Sequence, residues 1–240
     1  MCGRYKISTK APQILAAFGI DEDDGYEPKA RFNVAPTDAV PVVRVEDGKR
    51  HLREVRWGLL PFWAEKRSDG AKMINARAET LFARRAFKDA LEKRRCLVVS
   101  DGFYEWKRAG KEKQPHLMCF EDRHVFAYAG LWSRWHEKDA SGKDTGVVIE
   151  TCSVITTVPN TVAGKVHDRM PLILDPAIDQ ERIARWLDPA HAIGKDEMKA
   201  LAEPRELPGF TLFPVDKRVG NVRNDEPSLA EPVIAQATLV

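Results

Sequence analysis

Cys96-Leu97-Val98-Val99-Ser100-Asp101-Gly102-Phe103-Tyr104-Glu105-Trp106-Lys107-Arg108 is the stretch that decides the fold class. Residues 96–100 form a short apolar run with two adjacent valines, the pattern of a strand buried on both faces. A second strand-like run, 103–108, begins only two residues later, so no helix separates the two. Residues 114–121 return that run as a hairpin about Arg108-Ala109-Gly110-Lys111. Further on, 125–135 is another strand run, 136–146 reads as a polar loop, and 147–157 is a long β-branched strand.

Outward toward the N-terminus, residues 2–8 alternate and read as a strand, which fixes the start of the chain on a rigid element. A short helix is expected over 12–18, with Pro12 in its first turn and Gly19 stopping it. The runs 40–45 and 52–57 form a hairpin through Glu46-Asp47-Gly48, whose Asp-Gly is a turn signal. Residues 86–95 make an amphipathic helix, with Phe87, Ala90 and Leu91 on one side and Lys88, Glu92, Lys93 and Arg95 on the other. Beyond 157 come a loop or short helix at 159–165, a strand at 171–174, helices at 178–187 and 195–201, and a strand at 210–215. From Asn224 the chain has little periodicity and reads as a C-terminal tail, 224–240. Many strands at irregular spacing, with helices scattered among them instead of alternating, indicate α+β.

The 240 residues are 43% hydrophobic, enough for a sizeable core, with no break in composition and no internal repeat. No apolar run reaches the ~18 residues of a membrane span, and the N-terminus lacks a signal-like pattern, so a soluble cytoplasmic protein is expected. The four cysteines, Cys2, Cys96, Cys119 and Cys152, show no Cys-x-x-Cys pairing, which argues against structural zinc and against a disulfide framework. No glycine loop of a nucleotide-binding kind is present, and neither a metal nor a cofactor is implied. The net charge of +2 hides a segregation: residues 21–27 hold five acids and no base, while bases gather at 72–77, 84–95, 108–113 and 217–223. Such clusters attract a polyanion; they are equally found on ordinary solvated faces.

Candidate chemistry starts at Met1-Cys2. Once Met1 is removed, Cys2 carries an α-amine and a thiol on adjacent carbons, a pair that captures an aldehyde and closes a five-membered thiazolidine. The amine titrates near about 7.7–8.0 and a solvated thiol near about 8.5, so a fraction of each is nucleophilic at neutral pH, and Arg4 would favour the thiolate. Glu105 lies among Phe103, Tyr104 and Trp106, and burial there would make it a general acid or base; the other reading is a strand glutamate paired with Lys107 or Arg108. His167 is a proton carrier or an uninvolved turn residue, and Arg169 a phosphate ligand or one half of a surface ion pair. In extended backbone Asn75, Arg77 and Glu79 share a face, either lining a groove or meeting solvent. Trp57-Gly58-Leu59-Leu60-Pro61-Phe62-Trp63 is a buried aromatic turn or a wall for stacked bases.

Taken together these stretches resemble the SRAP family, named for SOS-response-associated peptidase. The matching pieces are Met1-Cys2-Gly3-Arg4, Asn33-Val34-Ala35-Pro36, Trp57-Gly58 with Pro61 and Trp63, Ile74-Asn75-Ala76-Arg77, Gly102-Phe103-Tyr104-Glu105-Trp106-Lys107, His167-Asp168-Arg169-Met170-Pro171 and Val219-Gly220-Asn221-Val222. The resemblance implies one domain over 1–223, α+β, with a bifurcated, partly barrel-like, mainly antiparallel sheet surrounded by helices. It implies a protein that senses abasic sites in single-stranded DNA and bonds to them through Cys2 after Met1 is lost, with an aminopeptidase for maturation. Asn75, Glu105 and His167 match its other active-site positions. Arg4, Arg77 and Arg169 match positions contacting the DNA backbone, and Pro36, Trp63 and Trp106 match positions lining the groove. Ala64 stands where some members have a second tryptophan. A cytoplasmic monomer, on the nucleoid when bound to DNA, is the expected state. Two other readings use the same residues: a peptidase with Cys2 as N-terminal nucleophile, and a non-covalent reader of modified bases.

Overall fold

The computed structural model describes residues 2–20, 25–110 and 112–233. In chain order the elements are β1 (Tyr5–Ile7), α1 (Ala11–Phe18), β2 (Arg31–Val34), β3 (Ala39–Glu46), β4 (Lys49–Trp57), β5 (Asn75–Arg77), α2 (Arg85–Lys93), β6 (Arg95–Ser100), β7 (Gly102–Ala109) and β8 (Glu112–Phe120). They continue with β9 (Phe126–Lys138), β10 (Asp144–Thr157), β11 (Met170–Pro171), β12 (Ile173–Leu174), α3 (Gln180–Leu187), α4 (Lys195–Leu201) and β13 (Phe210–Pro214).

Five strands close a ring. β3 pairs with β4, β4 with β10, β10 with β9, β9 with β6, and β6 with β3 again. Only the β4–β10 contact in that ring is parallel. The second sheet is open, in the order β13-β8-β7-β1-β2. The two branches meet where β6 runs into β7 through Asp101, so one ribbon of chain serves both. The result is a single α+β domain with a bifurcated, mainly antiparallel sheet, one branch of it a barrel. Among the described residues, no helix is long and apolar enough to cross a membrane.

β1 lies between β7 and β2, with Tyr5 opposite Phe103 on one side and Val34 on the other. Tyr5 is wholly buried, edge-on to Trp57 at 5.3 Å and to Tyr128 at 5.8 Å, so β1 is packed as well as paired. Asp101 pins its far end. The carboxylate accepts from Lys6 Nζ at 2.6 Å, from the Ser8 and Thr9 amides at 2.8 and 2.9 Å, and from both of their hydroxyls. A buried charge with this many donors is satisfied.

The local signals place α1, whose end is the left-handed Gly19, and the β3–β4 hairpin, where Asp47 and Gly48 both have positive φ. Four expectations change. Arg95 does not sit on the polar face of α2. It opens β6, is buried, and gives its guanidinium to the carbonyls of Leu91, Glu92, Trp186, Asp188 and His191. Residues 136–146 are no loop: β9 and β10 continue into them, leaving a turn about Asp139 and Gly142. Glu79 is beyond the end of β5, in a 3-10 turn, Ala78–Thr80. The segment from Asn224 is docked as far as Pro232, with Leu229 and Ala230 buried and Pro232 bridged to Val215. Residues 21–24 of the acidic run and 234–240 of the tail lie outside the described residues, as do Met1 and Lys111.

Candidate functional site

The ladder between β1 and β7 runs on ahead of Tyr5, since the Tyr104 amide donates to the Arg4 carbonyl at 2.9 Å. That pairing carries Cys2 along β7 toward Glu105 and Trp106. Asn75 meets it from the barrel: its Nδ2 donates to the Cys2 carbonyl at 2.7 Å. Asn75 is there because β5 takes over the edge of β10 that β4 leaves. Trp57 pairs with Cys152, and two residues further along β10 Val154 pairs with Asn75. The excursion between β4 and β5 is pinched at its neck. A Cβ at Gly58, whose φ is +129°, would come within 2.7 Å of the Gly70 carbonyl oxygen. Only glycine permits that approach.

Cys2 is wholly buried, and burial pushes its thiol far up, with the negative charge of Glu105 adding to the effect. The expectation of a ready thiolate is therefore corrected. The Arg4 guanidinium is turned elsewhere, its Nη1 donating to Asn33 Oδ1 and the Val219 carbonyl, each at 2.8 Å, and the hydrogen bond from the Arg4 backbone pulls the thiol down by less than burial raises it. Glu105 is 4% exposed, and burial raises its carboxyl above the ordinary value against the pull of the His167 side chain. Glu105 is thus a buried carboxyl and not an exposed one.

His167 follows the 3-10 turn Ala163–Lys165 and precedes β11. Its Nδ1 accepts the Arg169 amide at 3.0 Å, which in the neutral ring leaves the proton on Nε2. Asp168 Oδ1 lies 2.8 Å from the same nitrogen, a partner for the protonated ring. Arg169 is mostly buried and forks onto Glu79, at 2.5 and 3.0 Å, with a further bond of 2.6 Å to the Thr156 carbonyl. It is thus the mostly buried half of an ion pair. Arg4 lies over the Trp106 ring at 5.9 Å. Trp106, Lys107, Arg108, Pro159, Lys165 and His167 line a cleft of about 610 Å³.

Cys2, Asn75, Glu105 and His167 thus come together with Arg4 and Trp106. Arg77 is exposed two residues beyond Asn75, Pro36 follows β2 half-buried, and Trp63 is 46% exposed on the excursion between β4 and β5, beside Phe62 at 65%. Sequence reasoning overlooked Lys165 in the cleft and Asp101 under β1. Lys165 sits outside the basic clusters, and an aspartate before glycine signals only a turn. Two of the motif pieces prove to be partners. Asn33 donates to the carbonyls of Val219, Asn221 and Asn224, clasping the chain's end to its beginning. Among the described residues, no three His, Cys, Asp or Glu side chains gather as a metal site.

Fold and site define a barrel-based α+β protein in which a cysteine near the N-terminus meets a buried acid at the head of a basic cleft. A family model described as SOS response associated peptidase (SRAP) matches residues 1–222. The chain is 34% identical over 235 residues to the abasic site processing protein YoqW of Bacillus subtilis (strain 168), covering 96% of this chain and 99% of that one. It is 32% identical over 239 residues to the abasic site processing protein YedK of Escherichia coli (strain K12), covering 97% and 100%. A solved structure from Bacteroides thetaiotaomicron superposes with a TM-score of 0.81 at 28% identity, over 97% of this chain and 100% of that one. The chain belongs to the SRAP family.

Proposed function

We propose that this protein processes abasic sites in single-stranded DNA, and that after loss of Met1 it does so by joining Cys2 to the ring-opened sugar as a thiazolidine. The observation that carries the reading is the meeting of Cys2, held through its carbonyl by Asn75, with a buried Glu105 whose carboxyl is raised. An abasic deoxyribose is mostly a closed hemiacetal. Glu105 gives its proton to the ring oxygen and takes up the proton of the C1′ hydroxyl as the ring opens to the aldehyde, and the Cys2 amine adds to C1′. Loss of one water leaves a Schiff base. The buried thiol then adds across the C=N bond: sulfur bonds to carbon and its proton passes to nitrogen by way of Glu105. The amine acts first because the thiol is held protonated.

Asn75 and His167 orient the amine and relay protons. Arg77, Lys107, Arg108 and Lys165 meet flanking phosphates, so affinity falls with salt. Selectivity needs no reading of base edges. A missing base leaves room for the sugar to enter and lowers the cost of unstacking it. Every group named belongs to one copy of the chain, so a monomer suffices.

Intact-mass spectrometry of the protein incubated with an abasic oligonucleotide tests the reading. Loss of Met1 together with an adduct that survives denaturation is expected. Salt-sensitive binding without any covalent species would point to a reader, and self-trimming without an adduct to a peptidase.

A further inference from the structure

Thr37 has a φ of +80°, a region that a β-branched residue enters only against steric resistance. It is third in the turn Ala35-Pro36-Thr37-Asp38, which the Asp38 amide closes on the Ala35 carbonyl at 3.1 Å. Proline second and positive φ third is the type II pattern, and its third position suits glycine. The turn is nevertheless held from several directions. The Thr37 amide donates to the Trp57 carbonyl at 2.8 Å and the Trp57 amide to the Asp38 carbonyl at 2.9 Å. Asp38 Oδ2 accepts from the Ala35 amide at 3.0 Å and from Arg31 Nη2 at 2.8 Å. None of these bonds uses the threonine side chain. The residue is half-buried, and its hydroxyl has no hydrogen-bond partner among the described residues.

The turn also lies at the candidate site. β2 runs antiparallel to β1 with Val34 opposite Tyr5, so three residues further on Thr37 comes level with Cys2. Trp57, which accepts the Thr37 amide, donates from Nε1 to the Ile74 carbonyl at 2.9 Å, next to the Asn75 that grips Cys2. We infer that Thr37 is a further strand-binding residue, its hydroxyl donating to a phosphate oxygen beside the damaged sugar. This rests on the proposed abasic-site reading. Threonine hydroxyls bond phosphates in a way that fixes register and carries no sequence information. A side chain mounted on a clamped turn gives up little freedom when it makes such a bond. Glycine here would relax the backbone and forfeit the bond. Because the donor is neutral it displaces no counterion, so its contribution is independent of salt.

The test measures binding of full-length, Met1-free protein to an oligonucleotide carrying a tetrahydrofuran residue, which mimics the baseless sugar but has no aldehyde to capture. Thr37→Val keeps the branched shape without the hydroxyl. It should bind about tenfold more weakly, in the range of one lost hydrogen bond to a charged group, with an unchanged salt slope, and Thr37→Ser should recover the loss. Thr37→Gly should bind as weakly as Thr37→Val while its Tm is no lower than that of the wild type. The two phosphates flanking the tetrahydrofuran are then replaced, one at a time, by uncharged methylphosphonate. At one of them the advantage of wild type over Thr37→Val should shrink toward one, as expected when two changes remove the same contact. Wild-type affinity in Thr37→Val, an advantage that persists at both positions, or a Tm that falls in Thr37→Gly would each overturn the inference, the last by making the threonine a prop of the fold. Wild-type protein that binds the tetrahydrofuran strand but forms no adduct with a true abasic strand would count against the proposed function and leave the assignment of Thr37 to the binding data.

Discussion

Glu105 differs from three ion-paired carboxylates of the chain in what surrounds it. Glu79, Glu46 and Asp101 all have cationic partners that draw their carboxyls down, whereas burial drives Glu105 up. Its proton therefore persists above the ordinary carboxylate value of about 4.3. The step that spends this proton should be fastest in acid and decline as pH rises through the raised value. Glu105→Gln, which cannot release a proton, should lose about 10²–10⁴-fold in crosslinking rate and with it the acidic limb. Rates measured over a pH series check both, and an unchanged profile would remove Glu105 from the chemistry. Cys2→Ala keeps the amine but not the sulfur. It should give no adduct stable to denaturation, yet still give one when borohydride reduces the imine. At this scale the sequence was informative where a residue's neighbours set its environment, as Phe103, Tyr104 and Trp106 do for Glu105. It was silent where a distant partner decides, as Glu79 does for Arg169, and it misled at Arg95, where the helical period runs on into a residue that five carbonyls draw inward.

At the scale of elements, the site depends on a three-residue strand, β1, held by the buried Asp101. Burial alone would raise the Asp101 carboxyl, but Lys6 and the Ser8 contacts outweigh it and hold it below the ordinary value. A depressed carboxyl contributes stability that is fully present above its unfolded value of about 3.9 and is lost as pH falls through the folded one. Asp101→Asn leaves Lys6 buried without its counter-charge and should cost about 3–5 kcal/mol in urea unfolding. It should also flatten the acid limb of the stability curve. The neck of the β4–β5 excursion is a second weak point: Gly58→Ala should push Gly70 away, shift β5, and lower both stability and crosslinking. Strands and helices were largely readable because apolar period survives in short windows. The polar ends of β9 and β10 were not, since a solvated hairpin carries no apolar period.

Over the whole molecule, the α+β class followed from the order of strands, but closure of the barrel did not. That closure needs the parallel contact between β4 and β10, which join residues about a hundred positions apart, and nothing in either strand names its partner. The last docked segment escaped notice for a similar reason. Leu229 and Ala230 fill a small apolar cluster with Tyr104, Leu117 and Val219, although the sequence around them has no period. Ending the chain at residue 223 should cost at least the burial of Leu229, about 1.5–3 kcal/mol. It should also loosen the Asn33 clasp; thermal unfolding of the truncated protein measures the loss, and an unchanged Tm would show that the segment contributes nothing.

The grip of Val219 on Arg4 also sets an order of events during biosynthesis. The two residues are 215 positions apart, so the amino end cannot settle until the ribosome has made residue 219. Until then the leading residues remain in water, open to a trimming exopeptidase; once folding seals Cys2 inside, that opportunity closes. Methionine aminopeptidase added to folded, untrimmed protein should act far more slowly than on a peptide of the same leading residues, and equal rates would mean that maturation has no deadline.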